Sequence, residues 1–179
     1  MKKKIKKKNK KIGILGGTFD PPHYGHLYIS KIAIQKFKLN KMIWAITTKN
    51  PLKKRPHLKL KKRIQLSKKI IIAEKKISIA FFDKKIKSKN TFDLLRYIKK
   101  INMKTNLYFL IGADNLAKFH KWHNWKKIPK IAKLVVFPRE HYLIGKNKYI
   151  ALKSIKKNDI IYIKSKKVNI SSSLIRKFW

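Results

Sequence analysis

The residues with the clearest chemical potential form one string, GGTFDPPHYGH, at residues 16–26. Its paired glycines, Gly16 and Gly17, permit a close approach of the backbone to a ligand. The helix expected to begin near Gly25 offers unpaired N–H groups and the positive end of a dipole. His23 and His26 are three residues apart and can lie on the same side of the first helical turn. The string predicts a phosphate-binding turn; the alternative is a tight turn with two incidental histidines.

Three further groups of side chains could contact a ligand. Ser171–Ser173 can cap a helix and donate hydroxyl groups to phosphate oxygens, and Arg176 follows one turn later. Asp114 comes soon after Gly112, at the end of an apolar run, and could accept a hydrogen bond from a ribose hydroxyl. Trp122 could stack on a planar ring. Each group also has an ordinary interpretation, which is helix capping for the serines and Asp114 and core packing for Trp122.

The sequence excludes several other kinds of site. No Gly-Lys-Ser/Thr follows the glycine turn, so it is not a Walker loop, and it also lacks the Gly-x-Gly-x-x-Gly pattern of dinucleotide loops. The absence of cysteine excludes a disulfide scaffold, a thiolate metal site and a cysteine nucleophile. No set of His, Asp and Glu has the spacing of a structural zinc site, so no metal-binding residue is predicted. Among the loop lysines, Lys53 is a candidate for binding phosphate.

The charge balance favours anionic ligands without identifying one. The chain of 179 residues has 49 lysines and arginines against 7 aspartates and glutamates, which gives a formal net charge of +42. Such a field attracts nucleic acids, anionic lipids and phosphorylated small molecules. Lysine is spread through every segment and is not gathered into a stripe with interleaved aromatic residues, as a nucleic-acid platform would show. No specific nucleic-acid partner is therefore predicted.

The length predicts one domain with a short basic arm. Residues 1–10 are mostly lysine and contain too few apolar side chains to order a segment, so they are predicted as a flexible arm, followed by a domain at residues 11–179. No window of about 18 apolar residues predicts a membrane span. The basic start lacks the apolar region of a secretion signal, and the absence of cysteine fits a cytoplasmic location.

Apolar runs and helical patterns alternate along the domain. Continuous apolar runs predict strands at residues 11–15, 42–47, 77–82, 107–111, 133–137 and 160–164. Helical spacing predicts helices at residues 26–37, 58–74, 91–101 (with Thr91 as a possible N-cap) and 171–178, and short helical stretches near residues 115 and 125. This alternation indicates an α/β fold with a single doubly wound parallel sheet of Rossmann-like topology. In such folds ligands bind beyond the carboxyl ends of the strands, where the turn at residues 16–26 falls.

Six blocks occur in a characteristic order between residue 11 and about residue 177. They are GGTFDPPHYGH at 16–26, NPLK at 50–53, NTFDLL at 90–95, FLIGADNL at 109–116, the aromatic spacing of Phe119, Trp122 and Trp125, and ISSSLIR at 170–176. In this order they resemble the nucleotidyltransferases with a His-x-Gly-His signature, and among them the nicotinate-nucleotide adenylyltransferase family. NTFDLL resembles that family's Tyr-Thr-x-x-Thr-Leu element, and ISSSLIR its Ile-Ser-Ser-Thr-x-Ile-Arg signature.

The resemblance implies a reaction in NAD biosynthesis, in which adenylyl is transferred from ATP to nicotinate mononucleotide, giving nicotinate adenine dinucleotide (deamido-NAD) and pyrophosphate. It implies catalytic roles for His23, His26 and Arg176. It implies ATP binding by Gly16, Gly17, Thr18, Phe19, Gly112, Asp114, Ser171, Ser172 and Ser173. It implies acceptor binding by Thr91, Trp122 and Lys53, with Trp122 stacked on the pyridine ring. Mg²⁺ would accompany ATP and be coordinated mainly by phosphates and water, because the chain has few acids.

Four positions depart from the family pattern. Ser173 stands in place of the usual threonine and keeps the hydroxyl, Leu94 replaces the second threonine of the NTFDLL block, and Asn90 and His123 stand where tyrosine is common. The last three lie in the region implied to recognise the base.

Two alternatives therefore stay open. One is adenylyl transfer to another phosphorylated acceptor, such as nicotinamide mononucleotide or phosphopantetheine; the Trp122 and Thr91 blocks argue against phosphopantetheine. The other is a basic nucleic-acid-binding protein.

Overall fold

The continuous apolar runs form the strands of one parallel sheet. A computed structural model describes residues 9–139, 142, 149–165 and 170–178. Its strands are β1 (Lys10–Gly17), β2 (Lys41–Ile46), β3 (Ile77–Ala80), β4 (Thr105–Gly112), β5 (Ala132–Phe137) and β6 (Ile160–Tyr162). Each neighbouring pair is parallel, and the spatial order is β3-β2-β1-β4-β5-β6. The predicted doubly wound parallel sheet is confirmed.

Helices cover both faces of the sheet. They are α1 (Tyr24–Phe37), α2 (Leu60–Ile70), α3 (Asp83–Ile86), α4 (Thr91–Ile101), α5 (Ala113–Ala117), α6 (Ile128–Ile131) and α7 (Ser172–Ile175), with 3₁₀ turns at 119–121, 125–127, 150–153, 157–159 and 176–178. Apolar residues of α1 and α2 pack on one face around Trp44, and those of α4 and α6 pack on the other around Phe109. Burial of both faces explains why the strands are apolar without alternation.

The predicted elements are present, with differences at their ends. Thr91 as the N-cap of α4 is wrong. Asn90 occupies that position in an extended conformation, and its carbonyl accepts a hydrogen bond from the N–H of Leu94, so Thr91 is the first helical residue. The short helices α3 and α6 were not predicted, because four residues carry too little periodicity. The predicted basic arm falls mostly on residues 1–8, which lie outside the described residues, and Lys10 is the first residue of β1.

The strand order reverses between β1 and β4, which is where folds of this type usually bind their ligands. The chain winds outward from β1 to β3 and then returns to β4 on the other side of β1. The order therefore reverses at these two central strands, and their carboxyl ends leave a crevice. Gly17 pairs with Ile46, and Gly112 pairs with Phe137, so the segments that follow four strands start at one edge of the sheet. In the described part of the chain no helix is both long enough and apolar enough to cross a membrane.

Candidate active site

A cavity of about 880 Å³ opens at this edge of the sheet. Its volume is typical of sites for small molecules and cofactors. Every site residue predicted from the sequence lines it: Gly16, Gly17, Thr18, Phe19, His23, His26, Lys53, Thr91, Gly112, Asp114, Trp122, Ser171, Ser172, Ser173 and Arg176. The structure thus brings the whole predicted set together, while the role of each residue stays a prediction.

The two histidines form a stacked pair at the start of α1. His23 is the N-cap, and the centroids of the His23 and His26 rings lie 3.8 Å apart with 29° between the ring planes. The main-chain N–H of His23 donates a hydrogen bond to Nδ1 of His26 at 3.1 Å. Because Nδ1 accepts this bond, a neutral His26 carries its proton on Nε2. His26 is therefore preset as a hydrogen-bond donor through Nε2.

Gly25 is required by the close packing around His23. A Cβ atom at this position would lie 2.8 Å from Nδ1 of His23 and 2.9 Å from Cγ2 of Ile170. The second contact comes from the segment that leads into Ser171–Ser173. Gly25 therefore allows the histidine turn and the C-terminal serine segment to approach each other.

Both imidazoles are neutral at physiological pH in this structure. Burial lowers the pKa of His23 to about 4, and the positive charge of Arg139 adds to that effect. Burial also lowers the pKa of His26 well below its ordinary value, with further contributions from His23 and Arg139. Phe19 and Trp44 supply part of the apolar surroundings, with ring centroids 4.7 Å and 5.9 Å from that of His26. A bound anion would oppose these effects and favour the charged rings.

Asp20 connects the turn that follows β1 to two other segments that line the cavity. Its carboxylate is 3% exposed and accepts hydrogen bonds from the main-chain N–H groups of His57 and Leu58, at 2.8 and 2.9 Å. The guanidinium of Arg176 donates to the main-chain carbonyl of Asp20 and to Oγ of Ser173. These contacts hold the Lys53 loop and the start of α7 against the turn that follows β1.

The serine segment begins α7 as predicted from its hydroxyl groups. Oγ of Ser171 accepts a hydrogen bond from the N–H of Leu174 at 3.1 Å and so caps the helix. Oγ of Ser172 donates to the main-chain carbonyl of Pro21 at 2.7 Å. Helix capping and proximity to the cavity are therefore both present, and the two interpretations made from the sequence are compatible.

Arg139 is a cationic residue of the site that the sequence did not reveal. It follows β5, lines the cavity, and places Nε 3.8 Å from Oδ1 of Asp114. Its NH1 donates a hydrogen bond to the carbonyl of Ile170. A Cβ at residue 112 would collide with Asp114 and approach Nε of Arg139 to 3.2 Å, so Gly112 leaves room for both side chains. The position of Arg139 directly after an apolar run was a signal in the sequence. It did not distinguish this arginine from the other basic residues, because the chain has 49 lysines and arginines.

The acceptor region predicted from the sequence lies at another part of the cavity wall. Thr91 begins α4, and Trp122 is half-buried with its ring 5.2 Å from that of Phe119, so Trp122 combines core packing with a position on the wall. His123 and Lys89, which were given no role from the sequence, line the same cavity. The region therefore combines the start of a helix, an aromatic wall and basic side chains.

No protein-built metal site is evident in the described part of the chain. No group of three or more His, Asp or Glu side chains comes together there in a geometry that could hold an ion.

The doubly wound parallel sheet, with paired histidines in the turn after its first strand, has the architecture of the Rossmann-like nucleotidyltransferases. The cytidylyltransferase-like family model matches residues 14–178. A probable nicotinate-nucleotide adenylyltransferase of Pelagibacter ubique is 46% identical over 173 residues, covering 97% of this chain and 96% of the relative. One of Aquifex aeolicus is 32% identical, covering 89% of this chain and 98% of the relative.

A solved structure shows the same relationship in three dimensions. The nicotinic acid mononucleotide adenylyltransferase of Plasmodium falciparum, complexed with NaAD, superposes with a TM-score of 0.76 at 26% identity. The alignment covers 94% of this chain and 83% of that chain. The chain belongs to the nicotinate-nucleotide adenylyltransferase family within the cytidylyltransferase-like proteins. The family resemblance seen in the sequence is thereby confirmed.

Proposed function

We propose that this chain transfers the adenylyl group of ATP to nicotinate mononucleotide, giving nicotinate adenine dinucleotide and pyrophosphate. The observation that carries the proposal is the stacked His23–His26 pair, which lies in one cavity with Arg176, Arg139 and Trp122. Family membership supports the choice of substrates, because the relatives carry this name and one solved neighbour holds NaAD.

The chemistry requires alignment and charge neutralisation more than a covalent catalyst. An oxygen of the acceptor's 5′-phosphate attacks the α-phosphorus of ATP, a new P–O bond forms, and the bond between the α-phosphorus and the bridging oxygen breaks. The electron pair of that bond leaves with pyrophosphate. Negative charge increases on the bridging oxygen as the reaction proceeds, so fixed donors in the cavity lower the barrier.

The donors of the phosphate side come from three segments. Nε2 of His26 would donate to an α-phosphate oxygen, and His23 would support it from the adjacent position. Arg176 and the hydroxyl groups of Ser171–Ser173 would bind the β- and γ-phosphates, and Arg139 adds positive charge close to both histidines. Mg²⁺ would enter as part of the Mg·ATP substrate. The carboxylate of Asp114 would accept from the ribose of ATP.

The acceptor side combines stacking with donors for a carboxylate. Trp122 would stack on the pyridine ring, and the first N–H groups of α4, at and after Thr91, would donate to the nicotinate carboxylate. Lys53 would bind the acceptor phosphate. A cytoplasmic location, predicted from the composition, accompanies this proposal as a prediction.

The direct test is to incubate the full chain with Mg·ATP and a panel of acceptors: nicotinate mononucleotide, nicotinamide mononucleotide and phosphopantetheine. Pyrophosphate release and chromatography of the dinucleotide product are measured together. We expect stoichiometric pyrophosphate and nicotinate adenine dinucleotide. Turnover with phosphopantetheine alone, or no turnover with any acceptor, would contradict the proposal. Omitting the divalent ion tests whether Mg·ATP is the true substrate.

A further inference from the structure

Arg63 is a buried cation that lies behind the site and does not line the cavity. It belongs to α2, and its residue is 2% exposed. Nε donates to the carbonyl of Leu58 at 3.0 Å, NH1 to the carbonyls of Thr18 and Thr47 at 2.5 and 2.8 Å, and NH2 to the carbonyl of Thr48 at 3.1 Å. One guanidinium therefore joins the segments that follow β1 and β2 and the loop that precedes α2.

Two buried or half-buried carboxylates balance this charge without contacting it directly. Asp20 is bonded to the main chain of residues 57 and 58, and Oδ2 of Asp83 accepts from the side chain of Thr47 and from the N–H and hydroxyl of Thr48. Burial lowers the pKa of Arg63, while Asp20 and Asp83 raise it. Each carboxylate fixes a segment that Arg63 also binds, so the three side chains form one network, in which Asp20 and Asp83 line the cavity and Arg63 lies behind it.

The bond to Thr18 determines which way one peptide group faces. In a planar trans peptide the carbonyl of one residue and the N–H of the next point in opposite directions. The carbonyl of Thr18 faces Arg63, which is outside the cavity, while Thr18 and Phe19 both line the cavity. The N–H of Phe19 is therefore turned to the cavity side. Within the described part of the chain, no group accepts a hydrogen bond from it.

The backbone of Phe19, whose N–H is turned to the cavity side, is held in an unusual conformation. Its φ of 50° lies in the left-handed region, which residues other than glycine adopt infrequently. Its ring is buried between His26 and Trp44, with centroids at 4.7 and 5.1 Å. The side chain is thus fixed from within the core and the preceding carbonyl is fixed by Arg63.

We propose that Arg63 is a positioning residue, which aims the Phe19 N–H at a phosphate oxygen of the bound substrate by holding the carbonyl of Thr18. This inference rests on the proposed function for the identity of the substrates. Lysine cannot take over the role, because an ammonium group is a compact point charge and cannot reach four carbonyls that are arranged around a planar fork.

The first experiment measures kinetics in Arg63→Lys and Arg63→Met with two matched controls. Lys62→Met removes a positive charge from an exposed neighbour on the same helix, and Ile98→Ala weakens the fully buried core on α4 without touching the cavity. At a temperature where circular dichroism shows all variants folded, we expect kcat/KM to fall about 10²-fold in both Arg63 variants. Both controls should stay within about twofold of the wild type.

The second experiment observes the Phe19 amide without using activity. The full chain is labelled with ¹⁵N-phenylalanine and titrated with inorganic tripolyphosphate, and the Phe19 cross-peak is assigned by its loss in Phe19→Leu. We expect a downfield shift that saturates in the wild type and in Lys62→Met, and a shift at least several-fold smaller in Arg63→Lys. An equal shift in Arg63→Lys would overturn the proposal.

The outcomes separate this inference from the proposed function. If the wild type fails to make nicotinate adenine dinucleotide but the Phe19 amide responds to tripolyphosphate only when Arg63 is present, the substrates are wrong and the positioning role stands. If the wild type is active and the Arg63 variants lose no more activity than Ile98→Ala at matched folded fraction, Arg63 is merely structural and the inference fails.

Discussion

The imidazole of His26 stacks on that of His23 at 3.8 Å while accepting a hydrogen bond from the His23 main chain at Nδ1. The second contact orients the ring of His26 and leaves Nε2 as its donor. The first contact disfavours a double positive charge, because two imidazolium rings at this distance repel each other. The pair is therefore neutral until an anion arrives, and it offers donors whose direction is fixed in advance.

Removal of the Nε2 donor should reduce turnover with little effect on the fold. His26→Asn provides an amide oxygen that can replace Nδ1 as the acceptor of the His23 N–H. We expect kcat to fall about 10²–10³-fold, because the lost donor acts mainly on the transition state. KM for ATP should change less than kcat.

Thermal unfolding of the same variant provides the control. A melting temperature within a few degrees of the wild type together with the loss of kcat supports the catalytic role. Unchanged kcat with a strongly lowered melting temperature would instead show that His26 has a structural role in the core and no catalytic role.

Gly25→Ala should disturb the fold far more than Gly16→Ala, although both glycines border the turn. A Cβ at residue 25 would lie 2.8 Å from His23 and 2.9 Å from Ile170, whereas one at residue 16 would find only the ring of Phe109 at 3.5 Å. We expect Gly25→Ala to lower both kcat/KM, by at least about tenfold, and the melting temperature, whereas Gly16→Ala should leave the melting temperature nearly unchanged whatever it does to ligand binding. Equal shifts in melting temperature would show that steric crowding at His23 is not what Gly25 relieves.

The neutral histidines make stability depend on pH in a definite direction. An unfolded histidine titrates near pH 6.5, whereas the pKa of His23 is about 4 in the fold and that of His26 is also lowered. The unfolded chain therefore binds more protons below pH 6.5, and the free energy of unfolding decreases as the pH falls towards 4.

The double variant His23→Asn/His26→Asn isolates this contribution from that of the other histidines and of the carboxylates, which also titrate as the pH falls. Between pH 7 and 5.5 the wild type should lose about 1 kcal/mol more than the variant does because of His23, and His26 should add to this difference, measured by urea unfolding at both pH values. Parallel pH dependences in the two proteins would refute the lowered pKa values.

The fold, and a set of residues that the structure brings together in one cavity, could be predicted from the sequence, because both depend on local patterns. Apolar runs identified the six strands, and the turn at residues 16–26 identified the crevice. Asn90 and Thr91 are both residue types that suit a helix start, so the sequence could not decide which of them caps α4. The choice depends on where the chain leaves the preceding turn, and the structure has Asn90 at the N-cap.

Arg63 and Arg139 could not be identified from sequence, since they differ from the other basic residues in their position in the fold and not in type. Both are among 49 basic residues, and the spacing around them forms no motif. Only the three-dimensional structure shows that the guanidinium of Arg63 is surrounded by main-chain carbonyls and that Arg139 lies beside Asp114. In a chain with a charge of +42, location alone separates a functional cation from a solvated one.

The acceptor should be nicotinate mononucleotide in preference to its amide. Carboxylate and carboxamide are nearly equal in size, so charge and hydrogen-bond polarity must separate them. The N–H groups at the start of α4 can donate hydrogen bonds to a carboxylate, whereas the NH₂ of the amide would face other donors. Mispairing a buried polar group costs about 1–3 kcal/mol, which predicts a preference of roughly 5- to 150-fold in kcat/KM.

Lys89 should contribute to this preference and Lys87 should not. Lys89 lines the cavity next to the N-cap of α4, whereas Lys87 is equally charged and exposed but does not line it. We expect Lys89→Met to lower the ratio of kcat/KM for the two mononucleotides about threefold, through loss of a nearby positive charge from a solvent-exposed position. Lys87→Met should leave the ratio unchanged. A preference of the wild type for nicotinamide mononucleotide would overturn the acceptor assignment. An unchanged ratio in Lys89→Met would contradict the role of Lys89 and leave the start of α4 as the source of selectivity.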